Sequence, residues 1–285
     1  MTTTPDPEGV LLVDKPAGLS SHAVVDRVRS ALGSRRIGHG GTLDPFATGL
    51  LTIFVGRATR LLPFVQQDPK IYHATIRFGV ATTTDDATGD VLREAPLPDP
   101  DRVAEAIEAM TGHLLQRPPA YSAKQVGGVR AYAAARRGRP LSLEPVGVTV
   151  HAWRILGTRG ADLDVEVSCS GGTYVRALAR DLGEATGSAA HLSALRRIRS
   201  GAFDVAAATS LDDLDGATLM PPAVAVAHLP GQQLDDLDAK RVVHGQTVTA
   251  RVAGDQAALT HGDTLLAVAI REGDAWRPKV VMRDA

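Results

Sequence analysis

Residues 38–51 read GHGGTLDPFATGLL. Glycines on both sides of His39, then Thr42-Leu43-Asp44-Pro45 and a further glycine at 49, describe a tightly bent loop that can hold one carboxylate at a fixed place. That carboxylate is Asp44. Aspartate before proline is also a common turn starter whose side chain bonds its own backbone, so on the residues alone both readings stand. Upstream, Val10-Leu11-Leu12-Val13 is a short β-branched run stopped by Lys15-Pro16-Ala17-Gly18, a strand entering a loop. Ser20 or Ser21 can then cap a helix carrying Val24, Val25, Val28 and Leu32 on one stripe, with Gly33 suited to its C-terminal cap. Downstream, Leu50 to Val55 reads as a strand.

Further along, Lys70 to Phe78 alternates, with Tyr72, Ala74, Ile76 and Phe78 on one face and Ile71, His73, Thr75 and Arg77 on the other, which predicts a strand. Asp101 opens a helix ended by Gly112, and Leu163, Val165, Val167 and Cys169 predict another strand, with Cys169 in the core. Gly171-Gly172 turns that strand into a helical segment, Thr173 to Ala185. Residues 216–232, with Pro221-Pro222 and Pro230-Gly231, read as a linker between a domain at 9–215 and a small β-rich one at 233–285, and residues 1–8 read as a disordered start. The fold class is α+β.

The chain has 285 residues, 44% of them apolar and 22% charged, which excludes fibrous and low-complexity classes. No stretch approaches the roughly 18 apolar residues of a membrane span, and MTTTPDPEGV is no basic apolar leader, so a cytoplasmic protein off the membrane is expected. A single cysteine excludes multi-cysteine metal sites and fits a reducing compartment. The net charge of −1 divides unevenly: residues 1–210 hold 24 Lys and Arg against 21 Asp and Glu, residues 211–285 hold 7 against 11. Arg117, Lys124, Arg130, Arg136, Arg137 and Arg139 stand in one acid-free stretch with Tyr121 and Tyr132, a phosphate-seeking pattern or a solvated basic face. HExxH, GxxxxGK[ST], GxSxG and GxGxxG are all absent from the sequence.

Around Asp44 the sequence resembles the TruB-type tRNA pseudouridine synthases. GHGGTLDPFATGLL is similar to the family's catalytic-aspartate motif, Val13-Asp14-Lys15-Pro16 with Gly18-Leu19-Ser20-Ser21 to its amino-terminal motif, and Lys70-Ile71-Tyr72 to its tyrosine strand. Gly172-Thr173-Tyr174-Val175-Arg176 resembles its arginine motif, and Leu195-Arg196-Arg197 and Tyr121-Ser122-Ala123-Lys124 match too. The resemblance covers roughly residues 10–205 in order and spacing, and the last 60 or so residues match the family's small PUA-like domain weakly. One departure is visible: Thr82-Thr83-Thr84-Asp85-Asp86 places Thr83 where the family pattern has its first aspartate, while Asp86 and Gly89 keep theirs.

The resemblance implies the pseudouridine synthase fold, a central mixed and mostly antiparallel sheet with flanking helices. It implies isomerisation of uridine-55 in the TΨC loop of tRNA, with the base flipped out and no cofactor, metal, guide RNA or partner protein. By the same token Asp44 is the nucleophile and Arg176 the cation beside it, Tyr72 stacks on the uracil with its hydroxyl placed to assist proton removal, Tyr174 and Leu195 close the pocket, and His39 contacts RNA near the extruded base. The basic stretch and Asp86 are expected to touch RNA, and the family suggests a monomer. Two rivals stand beside this reading: a non-catalytic tRNA-binding or folding factor, against which the intact Asp44 and Arg176 argue, and a relative that shares these motifs and acts on another RNA. A carboxylate-based hydrolase is disfavoured because no second acid accompanies Asp44 in its motif.

Overall fold

The computed structural model describes residues 7–122, 124–126, 129–139 and 141–282, with residues 125, 126, 129, 130, 133 and 136 described in their backbone alone. The chain forms two compact units: residues up to 44, 51–66 and from 207 onward make one, residues 45–50 and 67–206 the other.

In the first unit the strand Gly9–Lys15 runs parallel to Thr209–Ser210, Val13 opposite Thr209. The helix Ser21–Leu32 starts at Ser20, whose hydroxyl accepts from the Ala23 N–H at 3.1 Å, and ends at Gly33 in the left-handed region, φ 62°. It lays Val24, Val25 and Val28 against Leu11, Val13, Leu51, Ile53, Val55 and Leu214. Each larger apolar side chain so buried contributes about 1.5–3 kcal/mol. The stretch expected to be a linker is packed instead: Val10 and Met220 exchange both backbone hydrogen bonds, at 2.9 and 2.8 Å, and Leu219 joins the same core. Of the expected disordered start, residues 1–6 lie outside the described residues.

The carboxy-terminal part of this unit is a five-stranded sheet in the order Gly231–Gln233, Gln256–His261, Thr264–Glu272, Ala275–Val281, Val248–Thr249, parallel at its first pair and antiparallel elsewhere. A helix absent from the sequence reading, Asp236–Val243, is capped by the Asp235 carboxylate. Trp276 is fully buried among Leu234, Val242, Leu259 and Leu266, and its indole N–H donates to the Gln232 side-chain oxygen at 2.9 Å. Arg57 and Arg60 donate to the carbonyls of Met282 and Val281, tying the 56–64 helical segment to the last strand.

In the second unit the strand order is the start of Thr48–Val55, then Ala190–Ser200, Lys70–Phe78, Asp162–Cys169, Val146–Arg159 and Gly112–Gln116, the first pair parallel and the rest antiparallel. The mixed, mostly antiparallel sheet is thus present, and the α+β class holds. Its alternation is the sequence's: Tyr72, Ala74, Ile76 and Phe78 are buried. On the opposite face His73, Thr75 and Arg77 meet Glu166, Asp164 and Asp162 of the neighbouring strand at 3.0, 2.6 and 2.8 Å. Such exposed cross-strand pairs contribute little each. The helix Val175–Ala185 packs on the buried face against Ala190–Ser200, where Gly183 permits the close approach: a Cβ there would lie 2.8 Å from Ala189 carbon. Cys169 is core as expected, its thiol pushed up to about 11 by burial. Among the described residues no helix is long and apolar enough to cross a membrane.

Candidate active site

The loop carrying Asp44 is built from three anchors inside the first unit. The strand Ile37–His39 pairs with Thr48–Val55, His39 opposite Ile53, and the Gly40 N–H continues the ladder by donating to the Thr52 carbonyl at 2.9 Å. The second anchor is Ser21. Its buried hydroxyl donates to the Leu43 carbonyl at 3.0 Å and accepts from the Leu43 N–H at 2.8 Å, so both polar groups of the residue before Asp44 are held by one side chain. The third is Lys15, fully buried, whose ammonium donates to the carbonyls of Pro16 and Leu19 at 2.9 and 2.7 Å and closes the turn that delivers Ser20 and Ser21. The amino-terminal motif is therefore mechanical support for the aspartate loop: Ser20 caps the helix and Ser21 clamps Leu43.

Asp44 itself is half-buried, and so is His39, whose Nδ1 accepts from the Gly41 N–H at 3.3 Å. A neutral imidazole accepting at Nδ1 carries its proton on Nε2. Ser21→Ala removes both bonds to Leu43 and leaves two buried backbone groups unsatisfied, each worth roughly 1–3 kcal/mol. The expected result is a lower unfolding temperature and, if Asp44 is the nucleophile that the resemblance implies, a loss of rate of about tenfold or more, because a shift of one ångström in a reacting group has effects of that order. Thermal unfolding and a single-turnover assay on tRNA check it, and unchanged rate in a folded variant would free Asp44 from this clamp.

Tyr72 and Leu195 stand on adjacent strands of the second unit, and Tyr174 and Arg176 stand at the start of the helix that packs on those strands. Tyr72 lies between Val167 and Arg197 on its two neighbouring strands, and Leu195 stands opposite Ala74; both Tyr72 and Leu195 are buried. Tyr174 occupies the N-cap position of the Val175–Ala185 helix, and Arg176 lies in its first turn. Arginine is mostly an exposed residue, yet Arg176 is only 4% exposed. Its guanidinium donates to the carbonyls of Thr84 and Tyr121 at 2.8 and 2.9 Å and stands 3.6 Å from the Asp86 carboxylate.

Asp86 was expected to contact RNA. It is instead buried inside its own turn, where one carboxylate oxygen accepts from the hydroxyls of Thr84 and Thr88, at 2.7 and 2.6 Å, and from the Thr88 N–H at 2.9 Å. Its place is in the frame that holds Arg176. The departing segment is accommodated locally: the Thr83 hydroxyl accepts from the Asp90 N–H at 3.1 Å. Asp85 takes the left-handed conformation, φ 58°, and pairs with Arg180 at 2.9 Å. Burial pushes the Asp85 carboxyl up, against the pull of Arg180 and Arg176. Gly89 is required here, since a Cβ would lie 2.7 Å from both the Thr83 hydroxyl and the Thr84 nitrogen. Arg180, which the sequence reading missed, also donates to the Arg117 carbonyl at 2.9 Å. Arg176 and Arg180, one helical turn apart, thus grip the 84–86 turn and the 117–121 segment together.

Of the basic stretch, Arg117, Lys124, Arg137 and Arg139 are exposed, while the side chains of Arg130 and Arg136 lie outside the described residues.

Residues 29–175 match the model of the TruB family pseudouridylate synthase amino-terminal domain, and residues 176–226 match that of the tRNA pseudouridylate synthase B carboxy-terminal domain. The tRNA pseudouridine synthase B of Thermobifida fusca is 46% identical, with 96% of this chain and 98% of that protein covered. The protein of the same name from Gloeobacter violaceus is 43% identical over 96% and 99%. A chain of a crystallised Cbf5-Nop10-Gar1 complex superposes with a TM-score of 0.73 at 28% identity, covering 97% of this chain and 85% of that one. The chain belongs to the TruB family of pseudouridylate synthases.

Proposed function

We propose that this tRNA pseudouridine synthase, an isomerase, converts uridine-55 in the TΨC loop of tRNA to pseudouridine, with Asp44 as its nucleophile. The observation that carries the reading is the near full-length likeness to tRNA pseudouridine synthase B at 46% identity. The reaction breaks the bond from uracil N1 to the ribose anomeric carbon and forms one from C5 to that carbon. N1 gains a proton and C5 loses one, so nothing is oxidised and no group donor is consumed. An ionised Asp44 serves both routes open to it, addition to the ribose carbon and assistance to glycal formation. Tyr72 supplies the stacking face for the flipped uracil and a hydroxyl for the C5 proton, Tyr174 and Leu195 close the pocket, Arg176 is its cation, and His39 meets RNA near the extruded base.

Unstacking a base takes a few kcal/mol, less in a loop than in a duplex, and phosphate contacts of the exposed Arg117, Lys124, Arg137 and Arg139 offset it. Arg130 and Arg136 belong to the same proposed contact. The enzyme acts as a monomer, with no cofactor, guide RNA or partner protein. The test is incubation of the purified protein alone with an unmodified tRNA transcript, followed by mapping of pseudouridine at single-nucleotide resolution. One product at position 55 is expected. Product elsewhere keeps the chemistry and overturns the target, while dependence on added guide RNA overturns the stand-alone reading.

Tyr72 separates its two roles. Tyr72→Phe keeps the ring and loses the hydroxyl, so tRNA affinity is retained while the single-turnover rate falls by roughly 10²-fold, the usual weight of a positioned proton-transfer group. Tyr72→Ala loses the ring as well, and stacking of about 1–3 kcal/mol per base with it. Equal rates for all three proteins would leave Tyr72 a core residue.

A further inference from the structure

We propose that Gln116 is a positioning residue for Tyr174, acting through the backbone of that residue; the proposal rests on the reading that Tyr174 lines the uridine pocket. Gln116 ends the strand Gly112–Gln116, where it stands opposite Val146, and it is 1% exposed. Its side-chain N–H donates to the Tyr174 carbonyl at 3.1 Å and its side-chain oxygen accepts from the Tyr174 N–H at 2.8 Å. One amide therefore bonds both polar groups of one residue, as a neighbouring strand would, the carbonyl also accepting the helix's own bond from the Leu178 N–H at 3.1 Å, and it fixes the peptide planes on both sides of the α-carbon. With those planes fixed, the direction of the Tyr174 Cα–Cβ bond, and so the set of directions open to its ring, is fixed as well.

The position needs such a partner. Tyr174 is the N-cap of the Val175–Ala185 helix, extended at φ −96° and ψ 107°, and makes no side-chain cap bond of its own. The backbone N–H groups at a helix start have no partner within the helix, and the Tyr174 N–H finds its partner in the Gln116 side-chain oxygen. Gln116 is in turn held by its surroundings. Its strand pairs through residues 112–116 with Val146–Val150, and the chain after it is gripped by the same helix through the Arg117 carbonyl on Arg180 and the Tyr121 carbonyl on Arg176. A residue 58 positions away in sequence thus sets the first turn from which both Tyr174 and Arg176 project.

Single-turnover pseudouridine formation by the full chain on a tRNA transcript tests this. Gln116→Met matches the length of glutamine without its bonds, and the expected rate is about 10- to 100-fold lower, with the dissociation constant for tRNA within about twofold. Gln116→Glu keeps an acceptor for the Tyr174 N–H but turns a carboxylate toward the Tyr174 carbonyl; protonation restores the missing donor. Its rate relative to wild type therefore rises as pH is lowered, a response that a packing role would not give. In a Tyr174→Ala background, Gln116→Met changes the rate by less than about twofold, because what it positions is gone. The proposal is overturned by a wild-type rate in Gln116→Met, by a pH-independent ratio for Gln116→Glu, or by a full Gln116→Met loss that persists without Tyr174. A wild-type rate for Tyr174→Ala alone would remove the pocket reading itself, an outcome distinct from any of these.

Discussion

Asp44→Asn yields no pseudouridine on an unmodified tRNA transcript while binding that transcript nearly as well as wild type. Asparagine has the shape of aspartate but no charge, and its amide oxygen is a poor nucleophile, so the step that detaches the base loses its agent. Removal of a nucleophile from a well-organised site lowers rates by roughly 10⁴-fold or more. Other bonds hold the loop whatever stands at position 44: Leu43 is clamped by Ser21, and Gly40 is bonded to Thr52. The variant is therefore expected to fold, and a cooperative unfolding transition beside absent product would separate chemistry from structure. Turnover at the wild-type rate would return Asp44 to the ordinary role of an aspartate before proline, a turn starter bonded to its own backbone.

Local periodicity and capping chemistry were legible where the sequence alone determines them. Tyr72, Ala74, Ile76 and Phe78 alternate because one sheet face is buried, and Ser20 and Gly33 mark a helix whose ends they chemically complete. The strand Ala190–Ser200 was not legible. Its sequence, AHLSALRRIRS, carries three arginines, yet it pairs with strands on both sides, and Arg197 is buried with its Nε donating to the Leu50 carbonyl at 2.8 Å. An arginine satisfied by a carbonyl 147 positions away leaves no local trace. The same holds for the packed 216–232 stretch, whose prolines and small residues suggest a linker until Met220 is seen exchanging bonds with Val10. The helix Asp236–Val243 was missed although Asp235 is a good cap, because the Gly, Thr and Val content around it favoured strands.

The candidate site was read in a different way. Asp44, Tyr72, Tyr174, Arg176 and Leu195 were named by resemblance; from the residues alone Asp44 could as well be a turn starter. What resemblance did not supply was the support: Ser21 on Leu43, Gln116 on Tyr174, and Thr84, Tyr121 and Asp86 around Arg176. Each joins residues between 22 and 92 positions apart, so no window of sequence contains both partners. Asp86 illustrates the cost of judging from one side only. A carboxylate in a polar turn reads as surface, and the hydroxyls of Thr84 and Thr88, the Thr88 N–H and the guanidinium of Arg176 make its burial tolerable.

Gly49→Ala destabilises the protein far more than Gly33→Ala, although both remove a glycine from a conformation that side chains avoid. At Gly33, φ is 62° and a Cβ would meet nothing within 4 Å, so the substitution meets backbone strain alone, about 1–2 kcal/mol. At Gly49, φ is 98°, and the added carbon would lie 2.9 Å from the nitrogen and 3.0 Å from the carbon of Arg197. The obstacle is backbone in the middle of a sheet, where Gly49 pairs directly with Arg197, and backbone cannot swing aside as a long side chain can. The two strands must separate, and with them the Leu50 carbonyl from the buried Arg197 guanidinium, which then loses a partner. A cost of at least about 3 kcal/mol follows, in the range reserved for overpacking and broken buried polar contacts. Because the movement falls five residues after Asp44 and two after Leu195, activity on tRNA is expected to fall together with stability. Urea unfolding of the two variants side by side decides the matter: equal losses of stability would mean that strain at a positive φ is the whole effect, and that the approach of the Arg197 backbone to Gly49 contributes nothing.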